Sequence, residues 1–545
     1  MLTRREFLKD AAFCGAAGLA FPHLSCRSSE EIYDIVIRNG TVYNGTAAAP
    51  FVADVGIVGD RIVAVGHLAA SGRATISARN CIVAPGFIDV HEHSDYLFQS
   101  LGDDREDARG NRCWMSNEAG LLQGVTTVVS GNCGYGFTDM DEYYAFIDSL
   151  PFAPNTCYLT PHGYLRQELF GIDTMDLTPD QLERLKAKVA QEMEKGALGM
   201  STGLGYVPGV NASKEELIAL SRVIKKYNGI YVSHIRNEPP SDYTNANVQI
   251  MAGILEAIDI GRQAGVPVQI SHIKAYIGGA PAGDDAIGRA IGDARAEGID
   301  VTADQYPFTA SSMNLSVLAP PAFRTATGIK PQYWNDPEAR QAIRDAVAET
   351  FLTLTTDKIL ITLWTGKRDY AYTSLQEIAA EEGKDAAEIY VEMVCGENPP
   401  AGIFFVIDEG ALRQLMAKEY VFTGSDGCAV PEQASYGHPR TTSSFVKKLK
   451  VFALEEGVLS LQSALLSMTS RPAEKFGIRQ RGKILPEYYA DVCVFDPAAL
   501  EAPATYLEPS VYSKGVRYVI VNGVIEVANG SVTGLRGGRA LRRST

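Results

Sequence analysis

The chain has few positive charges and, beyond its N-terminus, few long apolar runs. Both features narrow the classes of protein to which it can belong. Lysine and arginine number 50 against 65 aspartates and glutamates, so the formal net charge at pH 7 is −15. Such a charge disfavours a surface that binds nucleic acid. With 46% hydrophobic and 21% charged residues, the composition is typical of a soluble globular protein with a large core.

Cysteine is also scarce, and it shows no pairing pattern. Two of the nine cysteines, Cys14 and Cys26, fall in the N-terminal leader, and no Cys-x-x-Cys motif occurs. The remaining seven are Cys81, Cys113, Cys133, Cys157, Cys395, Cys428 and Cys493. Seven is an odd number, so the sequence does not predict a disulfide framework.

The apolar segment that resembles a targeting element begins at residue 11. Arg4 and Arg5 precede Phe7-Leu8-Lys9, and the apolar run Ala11–Phe21 follows. That run is too short to anchor the chain across a bilayer, and the paired arginines resemble a twin-arginine export signal. We therefore predict a signal peptide over residues 1–26 and an exported, periplasmic protein; the alternative is a frayed cytosolic N-terminus.

A lipid anchor is a second possibility at the end of this leader. Leu24-Ser25-Cys26 resembles the end of a bacterial lipobox, although His23 stands where an aliphatic residue is usual. The sequence does not favour lipidation over simple cleavage. Membrane attachment is expected only if Cys26 is lipidated.

Short strand-like segments occur at both ends of the chain. Tyr33–Gly40 and Val52–Val65 are β-branched runs separated by glycine-containing turns, and Ala490–Phe495 and Val516–Gly523 repeat the pattern. We predict a small β-sandwich domain built from residues 27–84 and 480–545.

The middle of the chain alternates apolar runs with helix-period segments, which is typical of βα units and a parallel sheet. The strand-like segments Gly229–His234 and Val266–His272 end 38 residues apart, about one repeat of a barrel. We predict a (β/α)8 TIM-like barrel over residues 85–479. The repeat lapses over residues 310–357, which we interpret as a lid or insertion.

Four of the eight histidines end predicted strands: His91, His93, His234 and His272. His91 and His93 are two residues apart, so on a strand both imidazoles face one point. Catalytic residues of such barrels come from the C-terminal ends of several strands, where Cys133 and Asp426 also lie. Imidazole and thiolate together predict a metal site that favours zinc over magnesium or calcium.

These residues lie within longer motifs that resemble a known family. The motifs are His91-Glu92-His93, Gly131–Gly134, the glycine-rich Gly196–Gly209, Ser233–Glu238, Ser271–Lys274, Tyr306-Pro307, the Asp426 motif Gly424–Asp426, His438–Arg440 and Thr469–Ala473. Over residues 33–540 they resemble the amidohydrolase superfamily and, more closely, its N-acyl-D-amino-acid deacylase (D-aminoacylase) family.

The resemblance implies both a metal arrangement and a reaction. Cys133, His234 and His272 would hold the tighter zinc, while His91, His93 and Asp426, sharing Cys133, would form a weaker second site. The implied reaction is hydrolysis of the amide bond of N-acyl-D-amino acids or D-terminal dipeptides, which releases a carboxylate and a free D-amino acid.

Asp426 is the predicted catalytic residue. Zinc would polarise the scissile carbonyl and lower the pKa of water towards about 7. Asp426 would take the proton from that water and then deliver it to the leaving amine. The alternative role for Asp426 is a helix N-cap after a strand.

Five residues are candidates for binding a small-molecule substrate: Lys274, Tyr306, Ser311, Ser312 and Arg440. We expect Lys274, with Tyr306 and a serine, to bind the α-carboxylate, whereas Arg440 forms either a substrate contact or an ion pair. The alternatives left open are another amidohydrolase, acting on cyclic amides or as a dipeptidase, and an exported binding protein without activity. The sequence does not rank acidic against apolar substrate side chains.

Overall fold

The computed structural model describes residues 33–95, 117–149, 152–278, 285–362, 364, 367–429 and 437–543. The predicted signal peptide and Cys26 lie outside these residues. The strands are β1 Tyr33–Val42, β2 Phe51–Val58, β3 Arg61–Gly66, β4 Gly72–Ser77, β5 Ile82–Pro85, β6 Phe87–Asp89, β7 Val125–Ser130, β8 Asn155–Tyr158, β9 Thr160–Pro161, β10 Gly199–Gly203, β11 Ile230–His234, β12 Val268–Ile270, β13 Val301–Gln305, β14 Ser311–Asn314, β15 Ile359–Ile361, β16 Thr373–Ser374, β17 Ala401–Phe404, β18 Val421–Thr423, β19 Val492–Phe495, β20 Val516–Val521, β21 Val524–Ala528 and β22 Ser531–Val532.

Helices connect most of the parallel strands. They are α1 Glu118–Leu121, α2 Met140–Ser149, α3 His162–Phe170, α4 Pro179–Glu194, α5 Lys214–Lys225, α6 Ala246–Ala264, α7 Ala286–Ala296, α8 Pro337–Phe351, α9 Leu375–Glu382, α10 Ala386–Val394, α11 Glu409–Met416, α12 Arg440–Lys447, α13 Leu461–Leu466 and α14 Ser470–Lys475. A π-helical stretch, Lys448–Glu455, continues α12. Among these described helices, none is both long and apolar enough to cross a membrane.

Two parallel sheets form the centre of the molecule. One has the order β18-β13-β12-β11-β10-β9 and the other β6-β7-β8, and their pairings are all parallel. A single residue, Leu159, separates β8 from β9. At the other junction, the backbone N–H of Asp426 donates to the carbonyl of His91 over 2.8 Å, and that of His93 donates to Gly427 over 2.7 Å. Successive strand ends therefore lie side by side.

The strands from the two ends of the chain meet in one sheet. Its order is β22-β21-β20-β19-β5-β1-β2-β3, with β4 paired to β1. Its apolar core includes Ile35, Ile37, Val55, Ile57, Val83, Val492, Val494 and Ile520. The predicted β domain from both chain ends is present, and β1 links its nine strands by pairing with β2, β4 and β5. The two halves of the domain are joined because β5 and β19 pair directly.

A second antiparallel unit lies between β13 and β18. Its strands have the order β14-β17-β15-β16, and α8, α9 and α10 lie within it in the chain. The unit runs through β17, which ends at Phe404, so the predicted limit of residue 357 was too early. Its helices have the same amphipathic periodicity as those of the βα repeats, so their sequence does not mark them as an insertion.

Candidate metal centre

Four potential metal ligands lie at the C-terminal ends of neighbouring parallel strands. The Sγ atom of Cys133 lies 3.8 Å from His234 Nδ1 and 3.8 Å from His272 Nε2. The same sulfur lies 3.4 Å from His91 Nε2. Two such donors bound to one zinc ion are at most about 4.4 Å apart. Each histidine therefore lies within reach of a metal bound to the sulfur, and His91, Cys133 and His272 form one candidate group.

A second set of donors adjoins the first. Asp426 Oδ1 lies 3.2 Å from His93 Nε2 and 3.6 Å from His91 Nε2. The His91 side chain is fully buried, whereas that of His93 keeps 26% of its surface exposed. The predicted ligand residues are thus brought together as two adjoining groups, one of them closer to solvent.

Each of the three histidines around Cys133 has an oxygen near the ring nitrogen that points away from the sulfur. The carbonyl oxygen of Glu238 lies 2.8 Å from His234 Nε2, and its carboxylate lies 3.2 Å from His272 Nδ1. Asp304 Oδ1 lies at ion-pair distance, 3.3 Å, from His91 Nδ1. Such partners orient a ligand histidine and select the nitrogen that faces a metal.

Glu238 and Asp304 are the functional residues that the sequence reasoning missed. Glu238 follows His234 by four residues in a loop, and Asp304 lies within β13, next to its last residue. The strand-end position of Asp304 was a usable signal. It did not reveal that the carboxylate faces a histidine and also accepts the backbone N–H of His272 over 2.8 Å.

Three of the candidate ligands have left-handed backbone conformations. The φ angles are 56° at Cys133, 35° at His272 and 50° at Asp426. Residues other than glycine seldom adopt this region, at a cost of about 1–3 kcal/mol each, and such residues cluster at functional sites. The surrounding structure therefore holds these three ligands in place against their own backbone preference.

The glycine-rich segment that precedes Gly209 packs closely on the loops that carry the ligands. A Cβ atom on Gly203 would lie 2.0 Å from the carbonyl oxygen of Cys133. A Cβ atom on Gly205 would lie 1.9 Å from the carbonyl oxygen of Glu238 and 3.0 Å from His234 Nε2. Glycine is required at both positions because any side chain would displace the loops around the site.

The charges around the site keep its two acidic side chains ionised. Burial raises the pKa of Cys133, but His91 and the hydrogen bonds from the other histidines hold this pKa well below its usual value. Burial also raises the pKa of Asp426, but Arg440 and His93 keep it well below its usual value. Burial lowers the pKa of His93, and its hydrogen bond with Asp426 raises this pKa to about 10. Thiolate and carboxylate are therefore the stable forms of the two acids.

The predicted substrate residues lie beside this centre, and two of them are already ion-paired. Lys274 contacts the Glu238 carboxylate, and its Nζ lies 3.0 Å from His272 Nδ1. Arg440 Nη1 lies 2.7 Å from Asp426 Oδ2, and its guanidinium carbon lies 5.0 Å from the centroid of the Tyr306 ring.

The other predicted substrate residues, Tyr306, Ser311 and Ser312, carry hydroxyl groups. Among the described residues, the Tyr306 hydroxyl and Ser311 Oγ are buried without a hydrogen-bond partner. Arg440 donates to the carbonyl oxygen of Ser312 over 3.4 Å, so that contact uses the backbone of Ser312. Tyr306 and Ser311 therefore carry hydroxyl groups that can bind a ligand.

Asp426 does not act as a helix cap in the described structure. It follows β18 by three residues, and the next described helix, α12, begins at Arg440 after Pro439. Its carboxylate instead faces His91, His93 and Arg440. Imidazole, thiolate and carboxylate donors gathered at the ends of parallel strands define the site of a metal-dependent hydrolase.

Comparisons with known proteins identify the family. The amidohydrolase family model matches residues 316–527. A D-aminoacylase of Alcaligenes xylosoxydans xylosoxydans is 29% identical, with coverage of 95% of this chain and 99% of that protein. An N-acyl-D-glutamate deacylase of the same organism is 32% identical, with coverage of 94% and 97%.

A solved structure shows the same relationship. It is an N-acyl-D-glutamate deacylase from Bordetella bronchiseptica, complexed with zinc and a phosphonate inhibitor that mimics the tetrahedral intermediate. Its TM-score is 0.76 at 30% identity, and the match covers 94% of this chain and 100% of that one. The chain belongs to the amidohydrolase family, in the group of D-aminoacylases and N-acyl-D-amino-acid deacylases. The family predicted from the motifs is confirmed.

Proposed function

We propose that this protein is a zinc-dependent hydrolase of N-acyl-D-amino acids, or of D-terminal dipeptides, that releases a carboxylate and a free D-amino acid. The observation that carries the proposal is the set of histidines around Cys133, each held from behind by Glu238 or Asp304. A buried thiolate among three oriented imidazoles suits zinc. The relatives named above, of similar length, act on this substrate class by name.

The chemistry is divided between the metal and the side chains around it. Bound zinc would be held by Cys133, His234 and His272, with His91, His93 and Asp426 as a second set, and it supplies carbonyl polarisation and activation of water. Asp426 accepts the proton of that water and returns it to the leaving amine. Arg440, 2.7 Å away, keeps this carboxylate ionised and fixes its orientation.

Binding of the α-carboxylate is assigned to groups on one side of the centre. Tyr306 and Ser311 offer buried hydroxyls without partners in the described structure, and Lys274 offers a buried ammonium group. The ion pair between Lys274 and Glu238 keeps that ammonium beside His272. A carboxylate bound there would place the neighbouring amide near the metal ligands.

We also propose that the two parallel sheets are parts of one closed (β/α)8 barrel. Counted with β8 and β9 as one interrupted strand, they supply eight parallel strands. Two backbone hydrogen bonds, from Asp426 to His91 and from His93 to Gly427, support closure between β6 and β18. The backbone hydrogen bond from Leu159 to Ser130 supports continuity across β8 and β9.

Export of the protein to the periplasm is a further proposal, supported by Arg4, Arg5 and the apolar run that follows. Replacing both arginines by lysine should leave the full-length precursor in the cytoplasm, as followed by fractionation and immunoblotting. Unchanged export of the R4K/R5K variant would contradict the twin-arginine assignment.

The function is tested by supplying matched D and L substrates to zinc-loaded protein. We expect release of free amino acid from N-acetyl-D-amino acids and little from their L enantiomers, hydantoins or dihydropyrimidines. Metal analysis of the same preparation should show at least one zinc per chain. Activity confined to cyclic amides or L-dipeptides, or an active protein without zinc, would contradict the proposal.

A further inference from the structure

Three arginines are buried in the described structure, and two of them have a carboxylate partner. Arg166 Nε lies 3.1 Å from Glu216, and Arg481 forms an ion pair with Asp491. Arg324, with 6% of its surface exposed, forms no ion pair with any described residue. A buried charge without a counter-ion is costly, so Arg324 requires a separate explanation.

The protein contacts of Arg324 do not neutralise it. Its Nη1 donates to the carbonyl oxygen of Val317 over 3.0 Å and lies 3.5 Å from that of Gly205, while Nε has no hydrogen-bond partner. Burial lowers the pKa of Arg324, but a guanidinium group does not lose its proton in proteins. The side chain is therefore a buried cation with unused hydrogen-bond donors.

Arg324 lines a cavity of about 870 Å³. One wall is Leu204 and Gly205, a second includes Val317 and Pro321, and Asn237 belongs to the loop that carries Glu238. Gly205 also packs against the outer side of a candidate ligand, because a Cβ on this residue would lie 3.0 Å from His234 Nε2. One wall of the cavity therefore adjoins His234 of the inner ligands.

Other charged groups of the cavity already have partners or do not pair with Arg324. Arg236 Nε lies 2.9 Å from Glu256, and the carboxylate of Asp242 accepts the backbone N–H of Thr244. Glu349 also lines the cavity, on the exposed side of α8. Near the metal ligands, Lys274 and Arg440 are paired with Glu238 and Asp426. Arg324 is the cavity cation, among the described residues, that lacks an acid.

We propose that Arg324 is a specificity residue that pairs with a second carboxylate of the substrate, on the side chain of the D-amino acid or on the acyl group. This inference rests on the proposed deacylase function and narrows it to diacidic substrates. The planar guanidinium matches a carboxylate with two parallel hydrogen bonds. A substrate carboxylate would supply both the missing counter-ion and a partner for Nε.

Four substrates separate the two positions of the second carboxylate. N-acetyl-D-glutamate and N-acetyl-D-aspartate carry it on the side chain, N-succinyl-D-leucine carries it on the acyl group, and N-acetyl-D-leucine lacks it. We expect one of the two diacidic classes to exceed N-acetyl-D-leucine in kcat/KM by about 100-fold or more, the usual effect of removing one partner of a buried charge pair. Preference for N-acetyl-D-leucine would overturn the inference but leave the deacylase function intact.

Substitution of Arg324 tests whether this residue causes the preference for diacidic substrates. R324M should abolish the preference for the diacid, mainly through KM, and should leave kcat/KM for N-acetyl-D-leucine within a few-fold of its parental value. R344M is the matched control, because Arg344 carries the same charge on α8, lies outside the cavity lining and is 41% exposed. An equal loss on both substrates by R324M would assign Arg324 a structural role and overturn the inference.

Equilibrium binding tests Arg324 without relying on turnover. In a D426N background, calorimetry should show that the diacid binds more tightly than N-acetyl-D-leucine and that R324M removes the difference. Equal binding of both compounds would overturn the inference whatever the activity. If the parent protein showed no deacylase activity but bound the diacid in a way that depends on Arg324, only the proposed function would be contradicted.

Thermal unfolding should show R324M at least as stable as its parent, because an unpaired buried charge is removed.

Discussion

Two halves of the metal centre differ in how the protein holds them. The inner set, Cys133, His234 and His272, is buried, and Glu238 contacts both of its histidines. In the outer set, His91, His93 and Asp426, one imidazole is 26% exposed and the carboxylate is shared with Arg440. The buried inner set suits retention of a metal, whereas the outer set has an ionised carboxylate that can accept a proton during catalysis. Metal binding and turnover should therefore respond to different substitutions.

The largest effect is expected at Cys133, whose sulfur contacts three histidines. C133A should lose zinc and activity together, because the thiolate is a ligand shared by both sets. Zinc content and steady-state rates measured on one preparation test this expectation. C157A is the control, since Cys157 is also a buried thiol, and burial raises its pKa to about 12. Normal zinc content and activity in C133A would show that the sulfur is not a ligand.

The next largest effect is expected at Asp426, where a substitution separates turnover from metal binding. D426N preserves the shape of the side chain, but an amide does not accept a proton at neutral pH. Turnover should fall by about 10²- to 10⁴-fold while the inner set keeps its zinc. Loss of zinc from D426N would make Asp426 mainly a ligand. Parental turnover would place the proton acceptor elsewhere.

Glu238 should have an intermediate effect, on the inner set alone. E238Q weakens the contact to His272 Nδ1 and removes the charge beside Lys274. Zinc affinity should fall by about 10- to 100-fold, the usual result of losing such a partner. Competition with a chromogenic chelator measures it, and E256Q is the control, because Glu256 pairs with Arg236 and contacts no candidate ligand. Equal affinities in the two variants would contradict the orienting role of Glu238.

The difference between the two sets was only partly predictable from the sequence. Strand-end spacing predicted the positions of His91, His234 and His272, because the carboxyl ends of parallel strands meet at one edge. It did not predict Glu238, whose loop bends back so that its own carbonyl reaches His234. A carboxylate at a strand end, such as Asp304, can face either a metal or the outer side of a histidine, and sequence spacing is the same for both.

The extent of the insertion was also only partly predictable from the sequence. Its first strand, β14, follows the barrel strand β13 closely, but its last strand, β17, pairs with β14 from far along the chain. The paired residues Ser312 and Ile403 are 91 positions apart, about twice the predicted length of the unit. Arg324 lies in a segment rich in proline and short turns, without periodicity. Its burial depends on contacts with Val317 and Gly205 that are set by the tertiary fold.

The smallest effect on turnover is expected at Lys448, whose environment contrasts with that of Lys274. Burial lowers the pKa of Lys274, but Glu238 raises it above its usual value. Lys448 instead contacts two hydroxyls, Thr423 Oγ1 at 3.0 Å and Ser467 Oγ at 2.9 Å. Burial, with a smaller effect of Arg471, lowers its pKa from 10.5 to about 7. The lysine beside the inner set is therefore charged, whereas the one beneath β18, which leads to Asp426, is largely neutral above pH 7.

This contrast predicts a pH dependence of stability. Between pH 7 and 10.5 the unfolded chain binds more protons at Lys448 than the folded chain does, so the penalty for burying it shrinks as pH rises. Relative to the parent, K448M should be most favoured at or below pH 7, and its advantage in melting temperature should decline towards pH 10. K447M should show a weaker dependence confined to about pH 8 to 10.5, because burial lowers the pKa of Lys447 from 10.5 only to about 8. A difference between K448M and the parent that does not change with pH would mean that Lys448 stays charged in the folded protein, and that the two sides of the centre are supported by the same kind of lysine.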